Sequence, residues 1–466
     1  MTPDANDPCV FAVKRGDILS RFDVTYALPK YTNLLERIHQ SAFFCDTLKD
    51  HICVFESGFN YEQSDIESSQ TTQLLRTQNV KPIFIYDQNV SYVLTTKVRT
   101  LTVENDLLFV RVGAGVGDCA FIGKDQQGMA FSDNVLRVHF DNNIYGPFLA
   151  AFLSTNVGKT LLMRQIKGSG KPVISRESIE KQVVPLPNFE QQKQLFKIIE
   201  QSHCSYKTKL QNADDDIILA RQQILEQVGI SFPDYHPSLY SYFRLGQIKE
   251  IGLYCNPHSA YLNVIFSKLH NSPFYSGVLE DFVDINPIIN KTRLNDSSDV
   301  SFVPMPAVSE KTNQVVYEQK EYKDVKTGFT PFQRGDLLWA KITPCMQNGK
   351  SFLADSMPTE YGFGSTEFHV LRQKSERIYM PFLWVLLSDE HILEAAQGMF
   401  SGSAGQQRVP DTFLKKFPII LPPIEVQKEL ANEVMKALDQ AKRTKETAEL
   451  EWAEAKAQFE KELLGE

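Results

Sequence analysis

What this 466-residue chain lacks narrows its possibilities first. No apolar run reaches the ~18 residues that a membrane-spanning helix needs, so a membrane is not an expected partner. No two cysteines stand as a Cys-x-x-Cys pair. The seven present (Cys9, Cys45, Cys53, Cys119, Cys204, Cys255 and Cys345) are odd in number and scattered. That pattern fits reduced thiols in a cytosol better than a disulfide framework or a zinc site. The opening residues, Met1–Asp7, are polar and acidic, unlike a secretory signal, and a cytoplasmic location is expected. Positive charge is not in excess. The formal net charge is −8, which argues weakly against nucleic acid as a partner. Part of the acidic excess falls in residues 425–466, and the remainder of the chain is near neutral. A near-neutral domain can still present a basic face.

Two stretches lack helix breakers. From Phe189 to Val228 there is no proline and no glycine. Apolar or small residues recur in steps of three and four at Leu195, Ile199, Ser202, Tyr206, Leu210, Ala213, Ile217, Ala220 and Ile224. The tail does the same at Leu430, Val434, Ala437, Ala441, Thr444, Ala448, Trp452, Ala455 and Phe459. This is the spacing of a coiled-coil seam. A lone amphipathic helix of this length leaves its stripe wet, so each is expected to pair with the other.

What is present twice is more informative still. Asp106-Leu107-Leu108-Phe109-Val110-Arg111-Val112 returns as Asp336-Leu337-Leu338-Trp339-Ala340-Lys341-Ile342. Ile144-Tyr145-Gly146-Pro147-Phe148-Leu149 returns as Ile378-Tyr379-Met380-Pro381-Phe382-Leu383, and Gly168-Ser169 as Gly402-Ser403. Leu186-Pro187-Asn188-Phe189-Glu190, followed by Gln192-Lys193, returns as Leu421-Pro422-Pro423-Ile424-Glu425, followed by Gln427-Lys428. Solenoid repeats run at roughly 20–50 residues. A period several times longer means two similar domains in one chain, which suits a molecule that reads two similar things at once.

Each half follows one grammar. A strand-like run opens it (Val10–Val13; Tyr242–Leu245), and a helix-like stretch follows (Tyr31–His39; Tyr261–Leu269). Short β-rich runs come next, among them Pro82–Tyr86, Asp106–Val112, Ser301–Val303 and Glu367–Leu371. Their spacing reads as an irregular antiparallel sheet or barrel. Helices at Pro147–Leu153 and Pro381–Leu387 carry proline near the first turn, where it is tolerated. The expected class is α+β: two similar β-rich domains with small helices, separated by two long helices in an antiparallel coiled coil. The boundaries are 1–188 and 231–424 for the domains, 189–230 for the central helix and 425–466 for the C-terminal one.

These residues resemble the specificity (S) subunits of type I restriction–modification enzymes. The pattern Gly-Asp-Ile/Leu-Leu, Phe/Trp, then Arg/Lys-x-Gly or Arg/Lys-x-Thr-Pro is similar to theirs at Asp106–Gly113 and Gly335–Pro344. So are Leu-Pro-x-x-Glu-x-Gln-Lys opening a long helix, Asn348-Gly349-Lys350 with Gly362–Phe368, and Arg21–Tyr26 near the start. Gly252–Pro257 departs from the motif expected at the start of the second domain. The resemblance implies two target recognition domains, each reading a few base pairs of double-stranded DNA. It implies docking of two modification (methyltransferase) subunits, which would carry S-adenosylmethionine and methylate adenine N6. Motor-nuclease restriction subunits would join for cleavage, and the S subunit itself would catalyse nothing. If the helices hold the domains apart, two half-sites with unread bases between them are expected. Their centres would lie ~10 base pairs apart, so that both meet one face of the duplex.

Two motifs mimic catalysis. Gly113-Ala114-Gly115-Val116-Gly117-Asp118 follows an apolar run like a cofactor loop. A cofactor's phosphate or carboxylate would need a helix N-terminus next, whereas Cys119–Lys124 reads as a strand. Adenine methyltransferases also use an Asn/Asp-Pro-Pro-aromatic loop. Neither Asn286-Pro287-Ile288-Ile289 nor Ser272-Pro273-Phe274 supplies it. No catalytic residue, metal ligand or cofactor-binding residue is therefore assigned to this chain. His139 and His369 read as packing or surface residues.

Base readout needs donors and acceptors against base edges, with cations on phosphates. The candidates in the first half are Arg111 at the end of the most regular strand, Lys124, Ser132, Asn134, Lys171 and Arg176. In the second half they are Lys341, Asn348, Lys350, Thr366, Gln406, Gln407 and Arg408. Each has an ordinary alternative as a solvated loop side chain. Residues 50–80 and 290–330 do not align by eye, as two readers of different half-sites would not. Two other functions stay open on sequence. One is a DNA reader serving another phage-defence methyltransferase, which capture of the partner would reveal. The other is a coiled-coil scaffold without a nucleic-acid role, which would have no need of the repeated polar loops.

Overall fold

The computed structural model describes residues 28–61, 70–86, 90–165, 172–234, 257–403 and 406–465. The chain divides into two compact units. Met1–Lys209 with Glu446–Glu466 forms the first, and Leu210–Lys445 the second. The runs Val10–Val13 and Tyr242–Leu245, the motifs at Arg21–Tyr26 and Gly252–Asn256, and the pair Gly168-Ser169 lie outside the described residues.

In the first unit α1 (Pro29–His39) precedes β1 (Cys45–Thr47), β2 (Ile52–Ser57), β3 (Thr71–Leu75), β4 (Ser91–Leu94), β5 (Leu107–Val110), β6 (Cys119–Phe121), β7 (Ala130–Phe131) and β8 (Val135–Phe140). Then come α2 (Gly146–Ser154), α3 (Asn156–Arg164), α4 (Arg176–Glu180), β9 (Val183–Pro185) and the long α5 (Phe189–Gln227). The sheets are β1-β9, β2-β8-β5-β6 and β4-β3-β7. The second unit has α6 (Pro257–His270), β10 (Tyr275–Val278), β11 (Val283–Ile285), β12 (Asp299–Val303), β13 (Glu318–Glu321), α7 (Tyr322–Val325) and β14 (Thr330–Gln333). It continues with β15 (Leu337–Ala340), β16 (Ser351–Leu353), β17 (Tyr361–Gly364), β18 (Phe368–Gln373), α8 (Met380–Leu387), α9 (Glu390–Ala396), α10 (Asp411–Lys415), β19 (Pro418–Ile420) and α11 (Ile424–Leu464). Its sheets, β10-β19, β11-β18-β15-β16 and β13-β12-β17-β14, repeat the first set with β14 added.

The central strand explains the most regular repeated run. All four residues of β5 are buried, as are all four of β15. Successive side chains of a strand point to opposite faces. Leu107 and Phe109 accordingly enter the core shared with the helices, and Leu108 and Val110 the core under the small sheet. Leu337 with Trp339, and Leu338 with Ala340, divide in the same way. A strand buried on both faces reads as a continuous apolar run. Two expectations are corrected. The sheets are mixed, because β3 pairs parallel with β7 and β12 parallel with β17. Pro82–Tyr86 forms no strand: Ile83 has φ +77 and the segment makes only isolated bridges, Val80 to Ile85 and Ile83 to Ala120.

Both breaker-free stretches are single helices of 39 and 41 residues. α5 stops at Gly229, whose φ of +73 is open to glycine and lets its own amide and that of Ile230 turn back to Glu226 O and Leu225 O. Each unit holds one part of both helices. In the first, Lys209 pairs with Glu451, and Trp452 packs on His203 and Tyr206. In the second, Lys445 Nζ lies 2.6 Å from Asp214, and the turn around Gln223–Gln227 lies beside Glu433 and Lys436, so the segments run antiparallel. The stripe positions are the shielded ones, with Ile199, Ala213, Ile224, Leu430, Val434, Ala441, Ala448, Ala455 and Phe459 buried.

The Leu-Pro-x-x-Glu-x-Gln-Lys motif has a specific task. Gln192 is fully buried. Its Oε1 accepts from Tyr145 N at 2.8 Å, and its Nε2 donates to Asn143 O and Pro187 O at 2.7 and 2.9 Å. Gln427 repeats this with Tyr379 N, Arg377 O and Pro422 O at 2.9, 2.9 and 2.8 Å. One carboxamide thus ties the start of a long helix to the loop before α2 or α8. It satisfies three backbone groups that burial would otherwise leave costly.

Candidate nucleic-acid interface

The edge of interest lies where the central strand ends. In the first unit Arg111 follows β5. Its amide donates to Asn134 O at 2.9 Å, and its carbonyl accepts from Ile174 N at 3.0 Å. In the second, Lys341 follows β15. Its amide donates to Glu367 O and its carbonyl accepts from Val409 N, both at 2.9 Å. The two cations therefore occupy one backbone position built twice. The Arg111 side chain is exposed and makes no hydrogen bond or ion pair among the described residues. Lys341 is half-buried.

Around Lys341 the fold gathers several other candidates. Thr366 is exposed on the turn before β18. Gln407 O accepts from Thr343 N at 2.9 Å, and Gln406 and Arg408 belong to the same loop. Arg408, however, is already engaged: Nε and Nη2 reach both carboxylate oxygens of Glu367 at 2.8 and 2.7 Å. That fork holds the Glu367 carboxyl below the usual range, with Lys341 adding to the effect. Arg408 thus serves to neutralise Glu367 beside Lys341. Lys350 precedes β16 at this end, with Nζ 3.4 Å from Met305 O. Asn348 is exposed on the turn and donates to Glu310 at 2.8 Å.

Around Arg111 the set is smaller. Ser132 binds Leu75 O through its amide, and exposed Asn134 donates to Asp133 at 3.2 Å. Arg176 is committed to Glu180 at 2.7 Å and to the ring of Phe55. Lys171 lies outside the described residues. Lys124 and Lys350 do not match each other. Lys350 O receives the amide of Ala340, and Asp118 O receives that of Val110. Lys350 therefore corresponds to Asp118, which pairs with Lys159 at 2.7 Å. Lys124 lies past the other end of β6, away from Arg111. Residue spacing alone missed this, because the turns after β5 and β15 differ in length.

The repeated aspartate of the Asn/Gly-Asp-Leu-Leu motif is a framework residue. Asp106 is buried and bound by Arg137 at 2.5 Å and His139 at 2.8 Å. Asp336 is buried and bound by two nitrogens of Arg372 at 2.8 and 2.7 Å. Each also accepts a turn amide, from Val103 at 2.6 Å or Gln333 at 2.7 Å. His369 is buried with Nε2 2.9 Å from Val409 O, and burial keeps its pKa below the ordinary value. The glycine turn at 113–117 is followed by β6, a strand. Among the described residues no three His, Cys, Asp or Glu side chains are placed to hold a metal ion. No helix among them is long and apolar enough to cross a membrane.

Residues 48–213 and 272–452 match the type I restriction modification DNA specificity domain. The chain belongs to that family. It is similar to the type I restriction enzyme EcoAI specificity subunit of Escherichia coli, 37% identical over 153 residues, covering 33% of this chain and 26% of that one. It is similar to the EcoEI specificity subunit of the same organism, 37% identical over 146 residues, covering 31% and 24%. The matched part is thus about a quarter of the length of these relatives. A solved structure described as the structural basis of complex assembly and conformational transition of the type I R-M system covers 90% of this chain and 96% of its own. It is 14% identical, with a TM-score of 0.48.

Proposed function

We propose that this chain is the DNA sequence-recognition subunit of a type I restriction–modification complex and reads a bipartite target. The observation that carries the reading is the duplicated edge. Arg111 and Lys341 hold one backbone position at the end of two equivalent central strands, and the loops around them differ in sequence. Shared strands give two readers one geometry; different loops give them different base preferences. Net acidity is no obstacle, since phosphate contacts need only local cations.

On this reading the chain is non-catalytic. Two modification subunits supply the methyltransferase and carry S-adenosylmethionine, and motor-nuclease subunits add restriction. Double-stranded DNA and these subunits are its partners, in the cytoplasm. The test is the host's adenine methylome with and without the gene. Loss of one two-part motif on deletion, and its return on complementation, is expected. An unchanged methylome in a host that carries the partner methyltransferase overturns the proposal. Calorimetry on the chain alone is expected to detect no saturable S-adenosylmethionine binding.

A further inference from the structure

Ile288 is 96% exposed, the most exposed large apolar residue among those described. It lies on the segment that leaves β11. By register Ile285 sits opposite Leu371, and the Asn286 amide donates to Val370 O at 2.7 Å. β15 reaches the same end of β18, with Ala340 opposite Phe368. The Ile288 segment therefore leaves the sheet at the end that carries Lys341, Thr366 and the Gln406–Arg408 loop.

The segment is fixed on both sides of Ile288. Asn286 has φ +54, a left-handed conformation that asparagine tolerates. Its Oδ1 accepts from Val370 N at 3.1 Å, and its Nδ2 lies 3.2 Å from His369 Nδ1. Pro287 restricts the backbone further. Ile289 is buried with Val300, Phe302 and Phe363. Asn290 Oδ1 then caps the next turn, accepting from Thr292 N at 3.0 Å. Ile288 is held outward between two anchors. Past Ile289 its sequence neighbours are Asn290, Lys291, Thr292 and Arg293, all polar or cationic. Lys291 lies over the Phe363 ring, and Arg293 lies 3.9 Å from exposed Glu360. One rigid methyl-bearing side chain among polar and cationic residues suits a DNA groove. The corresponding exit from β2 in the first unit is Gly58. There a Cβ would fall 2.1 Å from Ser132 O, and Phe59 beyond it is covered by Arg99.

We infer that Ile288 is a specificity residue that makes the apolar contact with the 5-methyl group of one thymine in the half-site read by the second unit. Of the four unmodified bases only thymine offers a methyl group in the major groove. The inference rests on the proposed function.

The test uses the full chain with the partners that co-purify from its host. Duplexes carry uracil in place of each thymine of that half-site in turn. Wild type is expected to lose affinity at one position by about fourfold, the value of one buried methyl group. Ile288→Ala is expected to lose a similar factor on the thymine duplex and nothing more on the uracil duplex. Independent, multiplying losses, or no position sensitive to uracil, overturn the inference alone. Equal weakening on all sequences, with loss of DNA bending, assigns Ile288 to a wedge and also overturns it. Wild type that binds unrelated duplexes as tightly as those carrying the two-part motif overturns the proposed function and this inference together.

Discussion

In the first unit the buried Asp106 is held by Arg137 and His139, whereas in the second Asp336 is held by one arginine, Arg372, through two nitrogens. The carboxylate, its buried position and its turn amide are the same. An arginine answers it in both units but from different register positions: Arg372 stands opposite Asp336, whereas His139 stands opposite Asp106 and Arg137 lies two residues away. At the sheet edge the difference runs further. Among the described residues Arg111 makes no ion pair, whereas Lys341 has a neutralised Glu367–Arg408 pair beside it. The framework tolerates exchange only among groups that satisfy the buried charge, while the edge tolerates almost anything water can solvate. Reading specificity can therefore diverge without disturbing the sheet that presents it.

Removing the framework charge should break this comparison most severely. Asp336→Ala leaves Arg372 unpaired and is expected to cost the second unit about 3–5 kcal/mol. Asp106→Ala should cost the first unit a similar amount, both read from denaturant unfolding. A surface-sized loss in either would show that the two carboxylates are not equivalent. Next come the glutamines. Gln192→Ala and Gln427→Ala each orphan three backbone groups and are expected to cost about 2–4 kcal/mol, equally in the two units by the same measurement.

The edge should respond in DNA binding and leave stability alone. Arg111→Ala and Lys341→Ala are expected to weaken binding by ~1–3 kcal/mol where the cation makes a bidentate base contact, and to lower the salt dependence where it meets a phosphate. Titrations at several salt concentrations separate these cases. Arg408→Ala should weaken binding at the second half-site by about 1 kcal/mol, because it exposes the Glu367 carboxylate to phosphates. Adding Glu367→Gln should restore most of that loss. No recovery would mean that Arg408 meets DNA itself.

The smallest effect is in pH. His203 stacks on Phe84 with centroids 3.5 Å apart, and burial pushes its pKa down to about 4. The unfolded chain binds this proton near pH 6.5 and the folded one does not. Its contribution is thus complete above pH 6.5 and lost as pH falls toward 4. Screened by solvent, it should amount to on the order of 1 kcal/mol. The equivalent helix position in the second unit is Leu438, which cannot titrate. His203→Leu should flatten the first unit's stability between pH 6.5 and 4. The second unit should keep the dependence that His369 gives it, and thermal melts across that range measure both.

The long helices, the helix starts at Pro147 and Pro381, and the central strands were legible in the sequence, because each rests on local chemistry. Missing breakers, proline in a first turn and an apolar run of four residues need no distant partner to be read. Pro82–Tyr86 was misread as a strand because its composition is strand-like, while a left-handed Ile83 turns the chain to place Phe84 against His203. The candidate site was legible at Arg111 and Lys341, where the repeat marks them. It was not legible at Arg408, whose partner Glu367 is 41 residues away, nor at Ile288, which in sequence is one apolar residue among many.

The sequence by itself determined that the chain is built twice from one plan, with two long helices and two buried central strands, since periodicity and repetition are properties of residue order. Only the tertiary structure decided which polar groups are free to meet a ligand. Pairing distant strands in register sets which cations find a carboxylate, moves Lys124 to the far end of its strand, and leaves Ile288 in water between two anchored neighbours.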